Sequence, residues 1–349
     1  MNPLLSTPPQ RSESSRILVV GPAWVGDMVM AQSLFKVLRR RRPGARIEVL
    51  APGWSRPLLQ RMPEVDGAYE MPVAHGQLSL GVRWRLGRSL RKMGFSQAIL
   101  LPNSLKSALV PWFAGIPRRT GWVGEMRYGL LNDVRRLDKG RWRMMVERFN
   151  ALAYPADWRE PPETPVPELR VDPEGLRSAK DALDLKDEGP ILALCPGAEF
   201  GPAKCWPVRH YAEIARRYLE QGWSVRLFGS PGDSAVCAEI DRLSGRRCVD
   251  LSGRTSLQQV VDLLSESTRV VSNDSGLMHI AAALNRQLVA IYGSTDPGFT
   301  PPLGPRSRIA RLDIDCSPCF KRECPLGHMR CLEDLSPDRV ARVLDGFDA

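Results

Sequence analysis

Apolar and polar positions follow one another along this chain in two rhythms. Short apolar runs at Ile17–Val20, Ile47–Leu50 and Ala98–Leu101 alternate with longer stretches in which apolar residues recur every three or four positions, at Met28–Arg40, Val82–Met93 and Lys106–Phe113. An unbroken apolar run marks a strand covered on both faces, and the longer period marks an amphipathic helix. Strands alternating with helices predict crossover units and a parallel sheet. A further helix is expected around Arg141–Ala153, after which the rhythm breaks at YPADWREPPETPVPELRVDP, Tyr154–Pro173. That stretch holds too much proline for a helix interior or a central strand and reads as a linker. The pattern then resumes, with strands expected at Ile191–Cys195, Ser224–Phe228, Arg269–Ser272 and Leu288–Tyr292. Helices are expected at Val208–Gln221, Ser234–Leu243, Leu257–Ser265 and Leu277–Leu284. The closing SPDRVARVLDGF has a serine cap, proline at the first helical position and a periodic apolar face, which predicts a terminal helix.

These elements describe an α/β chain with two doubly wound domains, at 16–170 and 171–335, a loose tail at 1–15 and a terminal helix at 336–349. Ligands of such domains bind beyond the carboxyl ends of the strands, which predicts a cleft between the two halves. The first fifteen residues are polar and contain proline, without the apolar centre of a signal peptide, so a cytoplasmic protein is expected. Hydrophobic and charged contents of 43% and 25% over 349 residues are those of a globular chain.

Charge narrows the partners. The formal net charge is +10, and only eight of the 49 basic residues are lysine. An excess of arginine favours an anionic partner: nucleic acid, acidic lipid or phosphorylated small molecules. The run Arg39–Pro43 closes a predicted helix, where cations complement the dipole, so it is not read as a nucleic-acid patch. No basic stripe interleaved with aromatics is present, which argues against a nucleic-acid-binding protein. A G-x-G-x-x-G loop after a strand is also missing, which argues against a nicotinamide-dependent oxidoreductase.

Candidate chemistry falls in turns after strands. In VVSNDSGLMHIAAAL a strand gives way at Asn273–Gly276 to a helix whose first amides form an anion site. Gly276 allows close approach, Asp274 and Ser275 suit phosphate or sugar hydroxyls, and His279 shares a face with Ser275. His279 fits either a ligand contact or a satisfied core position. CPGAEFGPAKCWP, Cys195–Pro207, places Lys204 late in a second such loop, without the pattern of a Walker loop. LFGSPGD, Leu227–Asp233, is a third, expected beside a nucleoside. The first loop of the chain, Gly21–Gly26, instead leads to an acid, Asp27, at the mouth of a helix. A carboxylate there is suited to remove a proton from an attacking hydroxyl, and equally to stabilise its own helix.

GPAWVGDMVMAQSL, LPNSLKSALVPWFAGIPRRTGWVGEMRYGLLND, CPGAEFGPAKCWP and NDSGLMHIAAALNRQLVAIYG together resemble the ADP-heptose:lipopolysaccharide heptosyltransferases, from about Arg16 to the final helix. The likeness is greatest to the branch that adds the second inner-core heptose; addition of the first or third is the nearest alternative. The resemblance implies a GT-B fold, two Rossmann-like domains facing across a cleft, and inverting transfer of L-glycero-D-manno-heptose from ADP to heptosylated Kdo2-lipid A. It implies Asp27 as catalytic base, Lys204 as the holder of the donor phosphates, and Asp274, Ser275, Gly276 and His279 as donor-binding, with Asp274 on the heptose. Glu199 and Gly229 join the expected donor site, and Ser230 or Asp233 is a possible substitute for a donor-binding acid that does not align. Asn103, Lys106, Arg119, Arg127 and Tyr128 are expected to grip the acidic acceptor, arginine through its bidentate fork. Such an enzyme is expected to touch the inner face of the inner membrane peripherally, to use ADP-heptose as co-substrate, and to need no metal or cofactor for the transfer.

CSPCFKRECPLGHMRC carries Cys316, Cys319, Cys324, His328 and Cys331, a spacing that allows four tetrahedral ligands for zinc. A zinc site and a set of reduced thiols both fit this pattern. Cys195, Cys205, Cys237 and Cys248 are scattered and read as packed thiols. Asp313–Asp315 is formally D-x-D, too short a match to count.

Overall fold

A computed structural model describes residues 15–73, 76–186 and 189–347. Most of the expected tail at 1–15 therefore lies outside the described residues, as do the last two positions of the terminal segment.

Twelve strands and twelve α-helices alternate along the described chain. The N-terminal half contains β1 (Arg16–Val20), α1 (Val25–Arg41), β2 (Arg46–Ala51), α2 (Arg56–Leu59), β3 (Gly67–Glu70), α3 (Leu80–Arg91), β4 (Gln97–Leu100), α4 (Leu105–Phe113), β5 (Arg118–Trp122), β6 (Asp133–Arg135) and α5 (Met145–Asn150). The C-terminal half contains α6 (Pro173–Ala182), β7 (Ile191–Cys195), α7 (Val208–Glu220), β8 (Ser224–Leu227), α8 (Ser234–Leu243), β9 (Val249–Asp250), α9 (Leu257–Ser265), β10 (Arg269–Asn273), α10 (Gly276–Ala283), β11 (Gln287–Ile291), β12 (Ser307–Ala310), α11 (Arg330–Glu333) and α12 (Pro337–Asp345).

Each half builds one six-stranded, wholly parallel sheet. The first runs β3-β2-β1-β4-β5-β6, and the second β12-β11-β10-β7-β8-β9. Numbered within its own half, each sheet has the order 3-2-1-4-5-6 of the dinucleotide-binding fold, the second read from its other edge. The chain therefore reverses direction across the sheet between β1 and β4, and again between β7 and β10. Crevices open at those two switch points, at the carboxyl ends of the strands.

The central strands are buried along almost their whole length, as their unbroken apolar runs require. Strands β3, β9 and β12 are partly exposed edge positions with mixed sequences, GAYE, VD and SRIA. Helix α1 is buried on most of its surface because it is covered twice, by α5 of its own half and by α10 of the other. One apolar core cluster consequently runs from Ile17, Met28 and Phe35 through Leu152 and Leu169 to Met278 and Leu288.

The two halves are also tied by polar groups. The Arg61 guanidinium meets the Asp262 carboxylate at 2.6 Å, both buried, and the other Asp262 oxygen accepts the Asp172 amide at 2.9 Å. Gln32 of α1 exchanges two hydrogen bonds with the backbone of Glu168 in the expected linker. The helix expected over Arg141–Ala153 is shorter, beginning at Met145 and ending in a tight turn at Ala151–Ala153. Helix α12 packs on α7, β11 and β12, as the periodic face of SPDRVARVLDGF predicts.

Candidate active site

The first glycine loop leaves β1 at a switch point, and α1 starts at Val25, which puts Asp27 in its first turn. Across the gap, β10 ends at Asn273 and α10 starts at Gly276. The two helix beginnings touch. A Cβ added at Gly26 would stand 2.6 Å from His279 Cδ2, and one at Gly276 would stand 2.7 Å from Val25 Cβ. Both positions need glycine because nothing larger fits between the helix tips. The positive ends of two helix dipoles thus converge on one place.

Asp27 sits there largely enclosed by protein. Burial pushes its carboxyl up from an ordinary 3.8 to about 6; Lys204 opposes the rise and Asp274 adds to it. Both of those residues belong to the opposite half, so Asp27 looks across the gap at them. Among the described residues its side chain takes part in no hydrogen bond or ion pair. The carboxylate has no partner among the described residues.

Lys204 closes the loop after β7. Its ammonium lies 2.6 Å from Asp274 Oδ2 and 3.3 Å from the Asp274 carbonyl, over the Phe200 ring. Thr295 Oγ1 donates to the same Asp274 oxygen at 2.6 Å. Asp274 is thus buried and engaged as the anchor of Lys204. His279 is buried, and burial above all, with Lys204 adding, pushes its imidazole down to about 4, so it is neutral at physiological pH. Ser275 occupies the N-cap position of α10 without a side-chain capping bond, and its hydroxyl lies 3.3 Å from that of Ser272.

The other expected donor residues ring this centre less closely. Glu199 is exposed on the β7 loop. Gly229 follows β8 and is packed under Asp233, where a Cβ would meet the Asp233 Cβ at 2.7 Å. Asp233 itself folds back onto the amide and hydroxyl of Ser230, at 2.8 and 2.7 Å, which makes this pair a local cap.

On the acceptor side the expected residues divide. Arg127 is buried and donates to the carbonyls of Pro102, Ser104 and Trp122 and to the Ser107 hydroxyl. Arg119 donates to the carbonyls of Ile116 and Leu130. These two guanidinium groups hold loop backbone and are occupied by it, contrary to the grip on an acceptor expected of them. Asn103 and Tyr128 are exposed and Lys106 half-buried at the mouth of the switch point after β4. Sequence reasoning overlooked Thr295, and also a cavity of about 230 Å³ bordered by Trp122, Arg136, Arg141, Trp142 and Arg159. Nothing in the sequence marked either of them.

Residues 83–330 match the family model of glycosyltransferase family 9 (heptosyltransferase). The chain belongs to that family. It is 50% identical over 342 residues to lipopolysaccharide heptosyltransferase 2 of Escherichia coli K12, covering 95% of this chain and 98% of that one. It is 47% identical over 341 residues to lipooligosaccharide heptosyltransferase 2 of Haemophilus influenzae, covering 94% and 98%. The solved structure of E. coli ADP-heptose lps heptosyltransferase II superposes with a TM-score of 0.85 at 47% identity, covering 96% of this chain and all of that one. The two parallel sheets are thereby those of the GT-B glycosyltransferases, and this family 9 chain is a glycosyltransferase.

Proposed function

We propose that this enzyme transfers L-glycero-D-manno-heptose from ADP-heptose to the first heptose of the lipopolysaccharide inner core. The observation that carries the reading is the unpartnered Asp27 carboxylate facing Lys204 and the α10 tip across the domain gap. The donor diphosphate lies against Lys204, which Asp274 and Thr295 hold in place, and against the first amides of α10. The acceptor hydroxyl attacks the anomeric carbon as the bond from that carbon to the diphosphate oxygen breaks. The bonding pair leaves with ADP, and the hydroxyl proton passes to Asp27. Lys204 and the helix end offset the charge that grows on the leaving group, a role a fixed cation and oriented amides fill without reorganisation. Inversion follows from attack on the face opposite the nucleotide.

The acceptor enters from the N-terminal half, past Asn103, Lys106 and Tyr128. Its lipid anchor places the enzyme at the cytoplasmic face of the inner membrane, where the arginine surplus favours anionic lipid. Among the described residues no helix is long and apolar enough to cross a membrane, and the contact we propose is peripheral.

Asp27→Asn tests the assignment. ADP affinity is expected to stay within a few-fold of the parent, while transfer falls by ~10²–10⁴, the usual worth of a general base. Full turnover by that variant would remove Asp27 from the chemistry. Running the parent against acceptors bearing no, one or two heptoses fixes which addition is catalysed.

A further inference from the structure

Between Met71 and Gly124 the chain holds eight lysine or arginine residues and no aspartate or glutamate. This stretch supplies α3 and α4, which cover the face of the first sheet opposite α1, the helix that meets the other half. The two helices run side by side in the same direction. Arg83 Nη1 donates to the Lys106 carbonyl at 3.1 Å, Gly87 packs against Val110 and Phe113, and Arg91 Nη2 donates to the Phe113 carbonyl at 3.3 Å. Buried Arg83 also donates to the carbonyls of Gln77 and Leu78, which fixes the approach to α3 against the first turn of α4.

With Arg83, Gly87 and Leu90 turned inward, helical spacing turns Trp84, Arg85, Arg88 and Lys92 outward, and all four are exposed. Among the described residues Arg85, Arg88 and Lys92 enter no ion pair. The Arg88 guanidinium lies over the Trp84 ring, 5.6 Å from its centroid. Large apolar side chains remain exposed on the same part of the molecule: Leu78, Leu80, Trp84, Leu105, Trp112 and Met126. Met126 is 83% exposed, on a turn where Glu125 and Met126 both take positive φ, 44° and 50°. That turn is pinned on both sides of Met126, by the Glu125 carboxylate on the Leu105 amide at 2.7 Å and by the buried Arg127 guanidinium. A strained, anchored turn that holds an apolar tip in water is not something folding alone requires. The first turns of α3 and α4 lie at the carboxyl ends of the strands, beside the mouth after β4 where Asn103 and Lys106 stand.

We propose that the outer face of α3, with α4 and the 124–128 turn, seats the enzyme on an anionic phospholipid bilayer. Arg85, Arg88 and Lys92 meet headgroup phosphates, while Trp84, Trp112 and Met126 enter the boundary between headgroups and acyl chains, the depth at which tryptophan settles. With no acid between positions 71 and 124, that stretch offers the headgroups no like charge. A lipid-anchored acceptor then reaches the mouth after β4 from within the same membrane plane. That last step rests on the function proposed above; the docking itself does not.

The test uses the full chain with vesicles of phosphatidylcholine, alone or mixed with phosphatidylglycerol, read by co-sedimentation. The parent is expected to sediment with the mixed vesicles and to stay in the supernatant with the neutral ones, with affinity falling as salt is raised. Arg85→Gln/Arg88→Gln/Lys92→Gln is expected to bind the mixed vesicles ~100-fold more weakly, from about fivefold per surface cation removed. An equal loss of charge in the other half, Arg177→Gln/Arg246→Gln/Arg247→Gln, is expected to leave the affinity within a few-fold. Brominated lipid is expected to quench part of the parent's tryptophan emission and less of that of Trp84→Phe/Trp112→Phe. All of these positions are exposed, so each variant is expected to melt with the parent. Equal binding of both vesicle types, unchanged binding by the first triple variant, or an equal loss in the second overturns the proposal. So does a parent dimer that the first variant splits while vesicle binding stays, which would give the face to a second copy of the chain. Vesicle binding without heptose transfer counts against the proposed function alone; transfer to a soluble, deacylated acceptor without vesicle binding counts against this proposal alone.

Discussion

Asp27 carries a conflict between folding and chemistry. In the unfolded chain this acid titrates near 3.8; in the folded chain it titrates near 6. Between those values the folded state binds the extra proton, so stability falls as pH rises through the window and stays lower above it. The shift corresponds to ~1–3 kcal/mol once its partial contact with solvent is allowed for. Asp27→Asn is therefore expected to be more stable than the parent at pH 7.5, by a few degrees in Tm, with the gap closing below about pH 4. Equal melting curves across that range would show that the carboxylate is not under this strain. Under the base role proposed for Asp27, kcat/KM is expected to drop about tenfold per pH unit below about 6, as the carboxylate takes up its proton. An active Asp27→Glu variant whose profile lacks that lower limb would point to another base.

At the scale of elements, the helix tips make a sharper claim. Alanine is a better helix former than glycine by about 1 kcal/mol, so Gly26→Ala in isolation favours α1. In the folded chain the new methyl meets His279 and forces the tips apart. A displacement of about 1 Å at a reacting centre costs as much as ~10²-fold in rate. The expected variant melts lower than the parent, by ~1–3 kcal/mol of overpacking, binds ADP within a few-fold and transfers ~10–100-fold more slowly. Unchanged transfer by that variant would show that the tips have slack.

The elements also show what a sequence discloses. The central strands other than β5, and the long helices, were legible because their apolar periods are unbroken, and the motif loops follow from where those strands stop; β5, RRTGW, opens on two arginines and has no apolar run. Strands β3, β9 and β12 were not, because edge strands in GAYE, VD and SRIA have no apolar run to betray them. Helix α6 was hidden for a different reason: Pro173 reads as a breaker when it closes a proline-rich stretch, yet here it occupies the first helical turn behind an Asp172 cap. Within the site, the loop positions of Asp27 and Lys204 were legible. The capture of Arg119 and Arg127 by loop carbonyls was not, since a guanidinium looks the same in sequence whether it meets a ligand or a backbone.

For the whole molecule, the buried pair Arg61–Asp262 fastens the two halves away from the helix tips. Forming such a pair gives little net stability, but breaking one side strands a charge in the interior, at a cost of ~3–5 kcal/mol. Arg61→Ala is expected to lower stability to urea by roughly that amount, and the double variant Arg61→Met/Asp262→Leu to recover most of it. A loss in the double variant equal to that in the single one would mean that the pair is needed for more than neutralising its own charges.

Glycines 26 and 276 have one consequence beyond their fit. Side chains can rotate out of a tight interface, but main chain cannot be trimmed further, so these two positions set a floor on how near the halves approach. Evolution can lengthen the spacing by adding a methyl but has no atom left to remove, which makes the distance between Asp27 and the opposite half a quantity measured in backbone thickness.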